Sequence, residues 1–219
     1  MINTELALTS LPSLIRGSIV SLEIATLSCF IGLTLGTIIG LIQEYGNTLI
    51  RWIANVYVTI IRGTPMLIQI FIAYYVLPQI GISIPEFWAA TLAIGLNSSA
   101  YISSIIRSGI ASVGKGQIEA AQVLGFSTAQ TIQLIILPQA LRVVLPSLGN
   151  EFITLIKDSA LASIIGVVEL SKEGSIIRSR TYDSLTIFPM VALLYLIMTT
   201  TLSIGMHYLE ERMNKHAGH

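Results

Sequence analysis

Charge is scarce in this sequence. Only 11% of its 219 residues are Asp, Glu, Lys or Arg, whereas soluble domains typically carry about 25%. The acidic and basic residues number 12 each, so no net charge attracts an anionic partner such as a nucleic acid. Mean hydropathy is +0.77. These values exclude a soluble globular domain, a nucleic-acid-binding protein and a disordered tail, and they predict a small integral membrane protein.

Several chemical features are also missing. Cys29 is the single cysteine, which excludes an internal disulfide. The sequence contains no GxxxxGK[ST] motif, so the chain is not expected to bind ATP through a P-loop. It also contains no HExxH motif. We therefore expect neither an enzyme nor a chain that holds a metal or cofactor of its own.

Five long apolar segments are present instead. A hydrocarbon core of about 30 Å requires about 20 apolar residues in a helix. The predicted spans are 18–42, 52–77, 87–106, 148–168 and 185–209. Because these runs are continuous and do not alternate, they favour helices over a transmembrane barrel. We predict an all-α, polytopic membrane protein with one transmembrane domain over residues 1–219.

The residues before the first span do not form a cleavable signal, since they lack a basic start and a small-residue cleavage site. Their leucines predict a short interfacial helix over Met1–Gly17, lying on the bilayer. The alternative is a frayed terminus.

The distribution of Lys and Arg favours an N-terminus outside and a C-terminus inside. In that orientation, the inner side holds seven basic residues: Arg51, Arg62, Arg107, Lys115, Arg142, Arg212 and Lys215. The outer side holds four: Arg16, Lys172, Arg178 and Arg180. The outer loop 78–86 has no basic residue.

Arg62 interrupts the second apolar run. The run from Gly46 to Leu77 has 32 residues, or about 48 Å as a helix, so it is long enough to protrude. We therefore expect Arg62 near the inner interface, with its charged end reaching towards water. Gly63 and Pro65 predict a kink or break in the helix there.

The loop 110–142 is too polar to span the membrane and too apolar for a plain linker. It predicts two short helices, the first over Val113–Leu124, joined at Gly125. Ser127 is a good N-cap for the second helix, which is expected to end towards Pro138. Such a projection is either a docking surface for another protein or an ordinary amphipathic connector.

This loop also carries a recognisable signature. It contains Glu119-Ala120-Ala121, Gly125 after three further residues, and Ile135-x-Leu137-Pro138 after nine more. The spacing resembles the EAA motif of ABC importer permeases. Three further stretches resemble the polar amino acid branch of that family: Arg62-Gly63-Thr64-Pro65, Pro138-Gln139-Ala140-Leu141-Arg142 and Lys157-Asp158-Ser159-Ala160-Leu161.

The resemblance covers about Leu14 to Leu209 and implies a membrane subunit of an ATP-driven importer in the cell membrane. It implies two ATP-binding subunits that hold ATP and Mg, a second permease copy, identical or different, and an extracytoplasmic amino-acid-binding protein. It further implies that the loop is a coupling helix, which touches the ATP-binding subunit through Glu119, Ala120, Ala121, Leu124 and Gly125.

The sequence departs from the family pattern in the third span. The family often carries Ala-Tyr-x-x-Glu-x-x-Arg there. This chain has Ala100, Tyr101 and Arg107, but Ser104 stands at the Glu position. Any role that the family assigns to this Glu is therefore not expected of Ser104 in this chain.

Ionisable residues inside a membrane are costly and usually mark a pathway. Glu151 and Asp158 are seven residues apart in the fourth span, so they share one helix face, with Thr154 between them. Lys157 lies about 100° away around the helix. Two acids on one face suit a ligand with surplus positive charge, but a Lys157–Asp158 or interhelical ion pair is the structural alternative.

Tyr101, Asn97 and Ser98 in the third span are polar candidates for the same site, or else they form packing hydrogen bonds. Glu23, in the outer part of the first span, either lies on the path or is hydrated at the interface. Gly32, Gly36 and Gly40 form a stripe that permits close approach of another helix, without indicating which one.

The sequence thus predicts an importer of polar amino acids, with arginine, lysine or histidine favoured. Glutamine, glutamate or another polar amino acid is the alternative substrate. An autonomous ion-coupled transporter or channel is the alternative of another class, in which the acids bind protons or cations.

Overall fold

The computed structural model describes residues 3–215, with side chains for residues 3–212. Every regular element in that range is helical. The α-helices are α1 (Thr4–Tyr45), α2 (Thr48–Gly63), α3 (Met66–Phe71), α4 (Glu86–Ala111), α5 (Lys115–Val123), α6 (Thr128–Thr131), α7 (Leu137–Asp158), α8 (Leu170–Thr181) and α9 (Ser184–Lys215). Two π-helical turns, Ile72–Val76 and Ile132–Ile136, and two 3₁₀ segments, Leu77–Ile80 and Ser159–Ile165, extend them.

Four helical stretches within the described range are long and apolar enough to cross a membrane, and the bent pair α2–α3 provides a fifth if it counts as one span. The four are 4–45, 86–111, 128–165 and 184–212. The all-helical membrane fold is therefore confirmed, with four or five spans.

The separate interfacial helix predicted at the N-terminus is wrong for the described residues. Helix α1 begins at Thr4, capped by the Asn3 side chain, and continues without interruption through the first span. The reason is packing, because Leu14 is fully buried in a cluster with Leu170 and Ile187. Leu14 and, beside it, Leu6 pack against α8 and α9, so this face of the helix is not free to lie on lipid.

Helices α1 and α4 pack closely against each other along the glycine stripe of α1. The three glycines of the α1 stripe face α4, and a β-carbon on Gly36 would lie 2.7 Å from the carbonyl oxygen of Ser99 and 2.7 Å from Cβ of Ile102. Gly32 and Gly40 face Ser98 and Ser103 in the same way. The stripe thus brings α1 against α4 within one chain.

The second span is broken where the sequence predicts it. Helix α2 ends at Gly63, and α3 starts at Met66 at an angle of 102° to α2. Thr64 and Pro65 are both extended, because a proline disfavours the helical conformation in the residue before it. The Thr64 hydroxyl donates to the carbonyl of Ile60, 2.9 Å away.

The helix after Gly125 does not end at Pro138 as expected. It passes through the π-helical turn Ile132–Ile136 and continues as α7. Proline lacks an N–H and crowds the preceding turn. A π turn changes the hydrogen-bond spacing locally, so the helix passes Pro138 without stopping.

The fourth span also differs from the predicted helix over 148–168. Its α-helical part ends at Asp158, and a 3₁₀ segment continues to Ile165 before Gly166, whose φ is +105°.

The relative direction of α4 and α7 follows from two contacts between them. Ser98 lies beside Glu151, while Gly109 lies beside Val144. Helices α4 and α7 are therefore antiparallel.

We predict that the α1–α4 contact is sensitive to a single methyl group. Gly36→Ala places a β-carbon against backbone and should destabilise the fold by about 1–3 kcal/mol, as overpacking does. The measurement is reversible unfolding in a detergent mixture. Gly205→Ala is the control, because no atom lies within 4 Å of the added β-carbon. Equal stability of the two variants would contradict the packing described.

Candidate functional site

A cavity of about 240 Å³ lies where α4, α7 and the start of α3 meet. We call it the acidic cavity. Its lining residues are Met66, Asn97, Tyr101, Glu151, Thr154, Leu155 and Asp158. Five of the six substrate residues proposed from the sequence thus share one cavity.

The sixth, Ser98, lies behind Glu151. Its hydroxyl donates to Oε1 of Glu151 at 2.7 Å. Ser98 is itself buried, so it fixes the orientation of the carboxylate and does not line the cavity. Glu151 is partly buried and keeps acceptor capacity for a ligand.

The carboxylate of Asp158 accepts no hydrogen bond and forms no ion pair within the described part of the chain. Lys157 is exposed and makes no ion pair either. Between residues 3 and 212, side chains pair within 4.0 Å only at Arg107–Glu44 and His207–Glu211. The intrachain Lys157–Asp158 bridge considered above is therefore absent from this structure.

Gln69 is a residue that the sequence reasoning missed. Its amide nitrogen donates to the carbonyl of Ile61 and to the Thr64 hydroxyl, both at 2.8 Å. Its amide oxygen accepts from Asn97 at 3.1 Å. Gln69 thus ties the break after α2 to the cavity wall. The signal was a single amide in the apolar run MLIQIF, next to a predicted break.

Arg62 lies at the same break, against α4. Its Nη1 donates to the Ser104 hydroxyl at 3.1 Å. Its guanidinium carbon lies 5.0 Å from the centroid of the Tyr101 ring, within the range of a cation–π contact. Arg62 is therefore held against a protein surface one side chain away from the acidic cavity.

A second buried carboxylate, Glu169, has a structural role. It is fully buried at the N-cap of α8. It accepts from Tyr195 at 2.7 Å, from Ser21 at 3.1 Å and from the backbone N–H groups of Ser171 and Lys172. A carboxylate with four donors is satisfied internally, so Glu169 joins α1, α8 and α9 and is not offered to a ligand.

Glu23 lies outside the acidic cavity. It is exposed on α1, in a shallow depression with Thr26 and Phe87. It makes no ion pair with a described residue, and it is not brought near Glu151 or Asp158 in this chain.

In the loop between α4 and α7, the first helix, α5, is terminated at Gly125, as predicted. Gly125 has a φ of +80°, which glycine adopts without strain. Its N–H donates to Gln122, and the next N–H, of Phe126, donates to Ala121, both at 3.0 Å, as in a Schellman motif. Ser127 then caps α6 in a reciprocal pair with Gln130.

The tip of this loop is apolar and exposed. Val123 and Leu124 are 87% and 74% exposed, and Glu119, Ala120 and Gly125 are exposed too. Ala121, by contrast, is 1% exposed. Of the five residues proposed for coupling, Ala121 is thus already buried in its own chain.

The architecture is that of a polytopic helical membrane protein with a polar, acidic cavity between its helices. Comparisons with known proteins indicate what kind of membrane protein it is. The sequence matches the family of binding-protein-dependent transport system inner membrane components over residues 32–215. It is 41% identical to a probable amino-acid ABC transporter permease, YckA of Bacillus subtilis, over 96% of this chain and 93% of the relative. It is 40% identical to the glutamine transport system permease GlnP of Escherichia coli, over 93% and 94%.

Relatives from Bacillus subtilis at 40% and 37% identity are named for the transport of cystine and of arginine. A crystal structure of an amino acid ABC transporter with histidines contains a chain 38% identical to this one. The two superpose with a TM-score of 0.91 over 97% of this chain and 99% of that one.

The chain therefore belongs to the family of inner membrane permease components of binding-protein-dependent ABC transporters. More narrowly, it is an amino-acid ABC importer permease and a multi-pass protein of the cell membrane.

Proposed function

We propose that this permease imports basic amino acids, arginine, lysine or histidine, and binds them in the acidic cavity. The supporting observation is that Glu151 and Asp158 lie in one cavity of a membrane bundle and that neither forms an ion pair within 4.0 Å with a described residue. An ionised group at such a site requires compensation. A ligand with two positive groups provides it.

The polar residues of the cavity suit the rest of an amino acid. Tyr101 is 40% exposed and its hydroxyl makes no hydrogen bond to the described chain. Thr154 and Asn97 add a hydroxyl and an amide. These groups can both donate and accept hydrogen bonds, so they can bind a zwitterion whatever its side chain.

The relatives give partial support. One solved neighbour is an amino acid transporter with histidines, and one relative is named for arginine. The relatives named for glutamine and cystine keep neutral or acidic polar amino acids, such as glutamine or glutamate, as the second candidate substrates.

Transport in this proposal follows alternating access, with the N-terminus outside and the C-terminus inside. Two ATP-binding subunits supply ATP and Mg chemistry, and an extracytoplasmic binding protein delivers the amino acid. A second permease, identical or different, completes the pathway. The exposed loop tip at Val123 and Leu124 contacts the ATP-binding subunit. Hydrolysis drives transport because nucleotide and substrate bind the two permease states with different affinities.

An autonomous ion-coupled transporter or channel is disfavoured by the family. Binding-protein-dependent systems act with further subunits, and the exposed helix–glycine–helix loop suits a docking partner. A self-contained carrier has no need of either feature.

Removing either cavity carboxylate should weaken transport of basic amino acids most. Asp158→Asn or Glu151→Gln should reduce arginine-dependent uptake about tenfold or more, which corresponds to about 1.4 kcal/mol for one charge contact. Glutamine uptake should fall less. The measurement is a competition series with arginine, histidine, glutamine and glutamate in reconstituted vesicles.

Glu86→Gln serves as the control for that series, since Glu86 is an exposed acid in the first turn of α4 and does not line the cavity. An equal loss for glutamine and arginine in the cavity variants would mean that the two acids are structural, and the basic-substrate proposal would fail.

Coupling should depend on the loop tip. Glu119→Lys or Gly125→Val should release the ATP-binding subunit while the permease stays folded, because a reversed charge opposes docking and valine disfavours a φ of +80°. Pull-down of the ATP-binding subunit and vesicle uptake measure this. Glu86→Lys provides the matched charge reversal elsewhere. Normal association together with normal uptake in both loop variants would rule out the coupling role.

The orientation is tested by labelling single cysteines after Cys29 is replaced. Ser83 and Lys115 are both exposed, so cysteines there are accessible to a reagent on the correct side. Ser83→Cys should react with an impermeant maleimide from outside, and Lys115→Cys only after the membrane is opened. The reverse pattern would invert the topology.

A further inference from the structure

Arg62 contacts a lining residue of the acidic cavity, Tyr101, and forms no ion pair with a described carboxylate. It is exposed, and its two contacts are the Ser104 hydroxyl and the Tyr101 ring. Both partners are neutral. Arg107, which lies in α4 one turn after Ser104, is instead paired with Glu44 at 3.7 Å.

The face of α4 that lines the cavity leads directly to Arg62. Asn97 and Tyr101 line the cavity, and Ser104 follows them at the spacing i, i+4, i+7, so the three share one helix face. Tyr101 therefore both lines the cavity and contacts the Arg62 guanidinium. Arg62 lies at the end of the cavity that is nearer the C-terminus of α4.

The charges follow a fixed order along α4. Arg62 is bonded at Ser104, and Glu151 is bonded at Ser98, six residues or about 9 Å nearer the N-terminus. Because α7 runs antiparallel to α4, Asp158 lies about 10 Å beyond Glu151 in the same direction. Apart from Lys157, which is exposed beside Asp158, the order of charges is thus positive, negative, negative.

A long basic amino acid has the complementary order. Its carboxylate is followed by the α-ammonium and then by the side-chain cation. Two carboxylates neutralise the two cations but leave the substrate carboxylate without a partner. Neither Lys157 nor Arg62 lines the cavity itself. Arg62 differs from Lys157 because it contacts the ring of Tyr101, which does line the cavity.

We propose that Arg62 binds the α-carboxylate of the transported amino acid, with the α-ammonium towards Glu151 and the side-chain cation towards Asp158. This inference rests on the function proposed above. The guanidinium presents a planar fork that matches a carboxylate, and the Tyr101 ring holds it in place. Arg62 would then require an amino acid and would reject amines of the same length.

The test compares arginine with agmatine, which is arginine without its carboxylate. The purified complex of permease and ATP-binding subunits is used without binding protein, and unlabelled arginine or agmatine displaces radiolabelled arginine. The wild type should bind arginine at least tenfold more tightly than agmatine. Arg62→Gln should lose most of that preference, by weakening arginine and leaving agmatine unchanged.

Two further variants control for loss of packing. Arg107→Gln removes a guanidinium from the same region outside the cavity and should keep the full preference. Ser104→Glu places a carboxylate beside Arg62 and should reduce the preference as Arg62→Gln does.

If Arg62→Gln leaves the ratio of the arginine and agmatine affinities unchanged, whether both weaken equally or neither weakens, the proposed role of Arg62 is wrong. In that case, Asp158→Asn distinguishes the two proposals. If it weakens both ligands, the basic-substrate function stands without Arg62. If the wild type binds neither ligand, the proposed function itself fails.

Discussion

An uncompensated charge inside a membrane bundle is the constraint on which this permease depends. The charge of Glu169 is compensated within the chain, because four hydrogen-bond donors surround its carboxylate. Glu151 has one donor, Ser98, and Asp158 has none from the described chain. The difference separates a carboxylate that holds helices together from carboxylates that remain available to a ligand. The same criterion distinguishes Arg107, which is paired, from Arg62, which is not.

The scaffold makes this arrangement possible through two local devices. The glycines of α1 let α4 approach closely, which fixes the helix that carries Asn97 and Tyr101. The break at Thr64–Pro65 turns α3 away from α2 by 102° and places Met66 in the cavity. Gln69 then satisfies backbone carbonyls that the break exposes, as polar backbone groups in a membrane require.

Much of this could be predicted from the sequence because membrane helices leave strong signals. Hydropathy indicated the spans, Gly63 and Pro65 indicated the break, and the seven-residue spacing placed Glu151 and Asp158 on one face. The misses came from tertiary packing. The burial of Leu14 turned an expected interfacial helix into part of α1, and a π turn carried a helix past Pro138. Glu169 binds Ser21, which is 148 positions away in the sequence, and Tyr195, which is 26 positions away. No local sequence pattern indicates contacts over such separations.

The most direct measurement is a structure of the assembled transporter, determined by electron cryomicroscopy with arginine present and binding protein omitted. The account predicts density in the acidic cavity, with cationic nitrogens of arginine about 3 Å from the carboxylates of Glu151 and Asp158. An empty cavity, with those carboxylates paired to a cation of the protein such as Lys157, would contradict it.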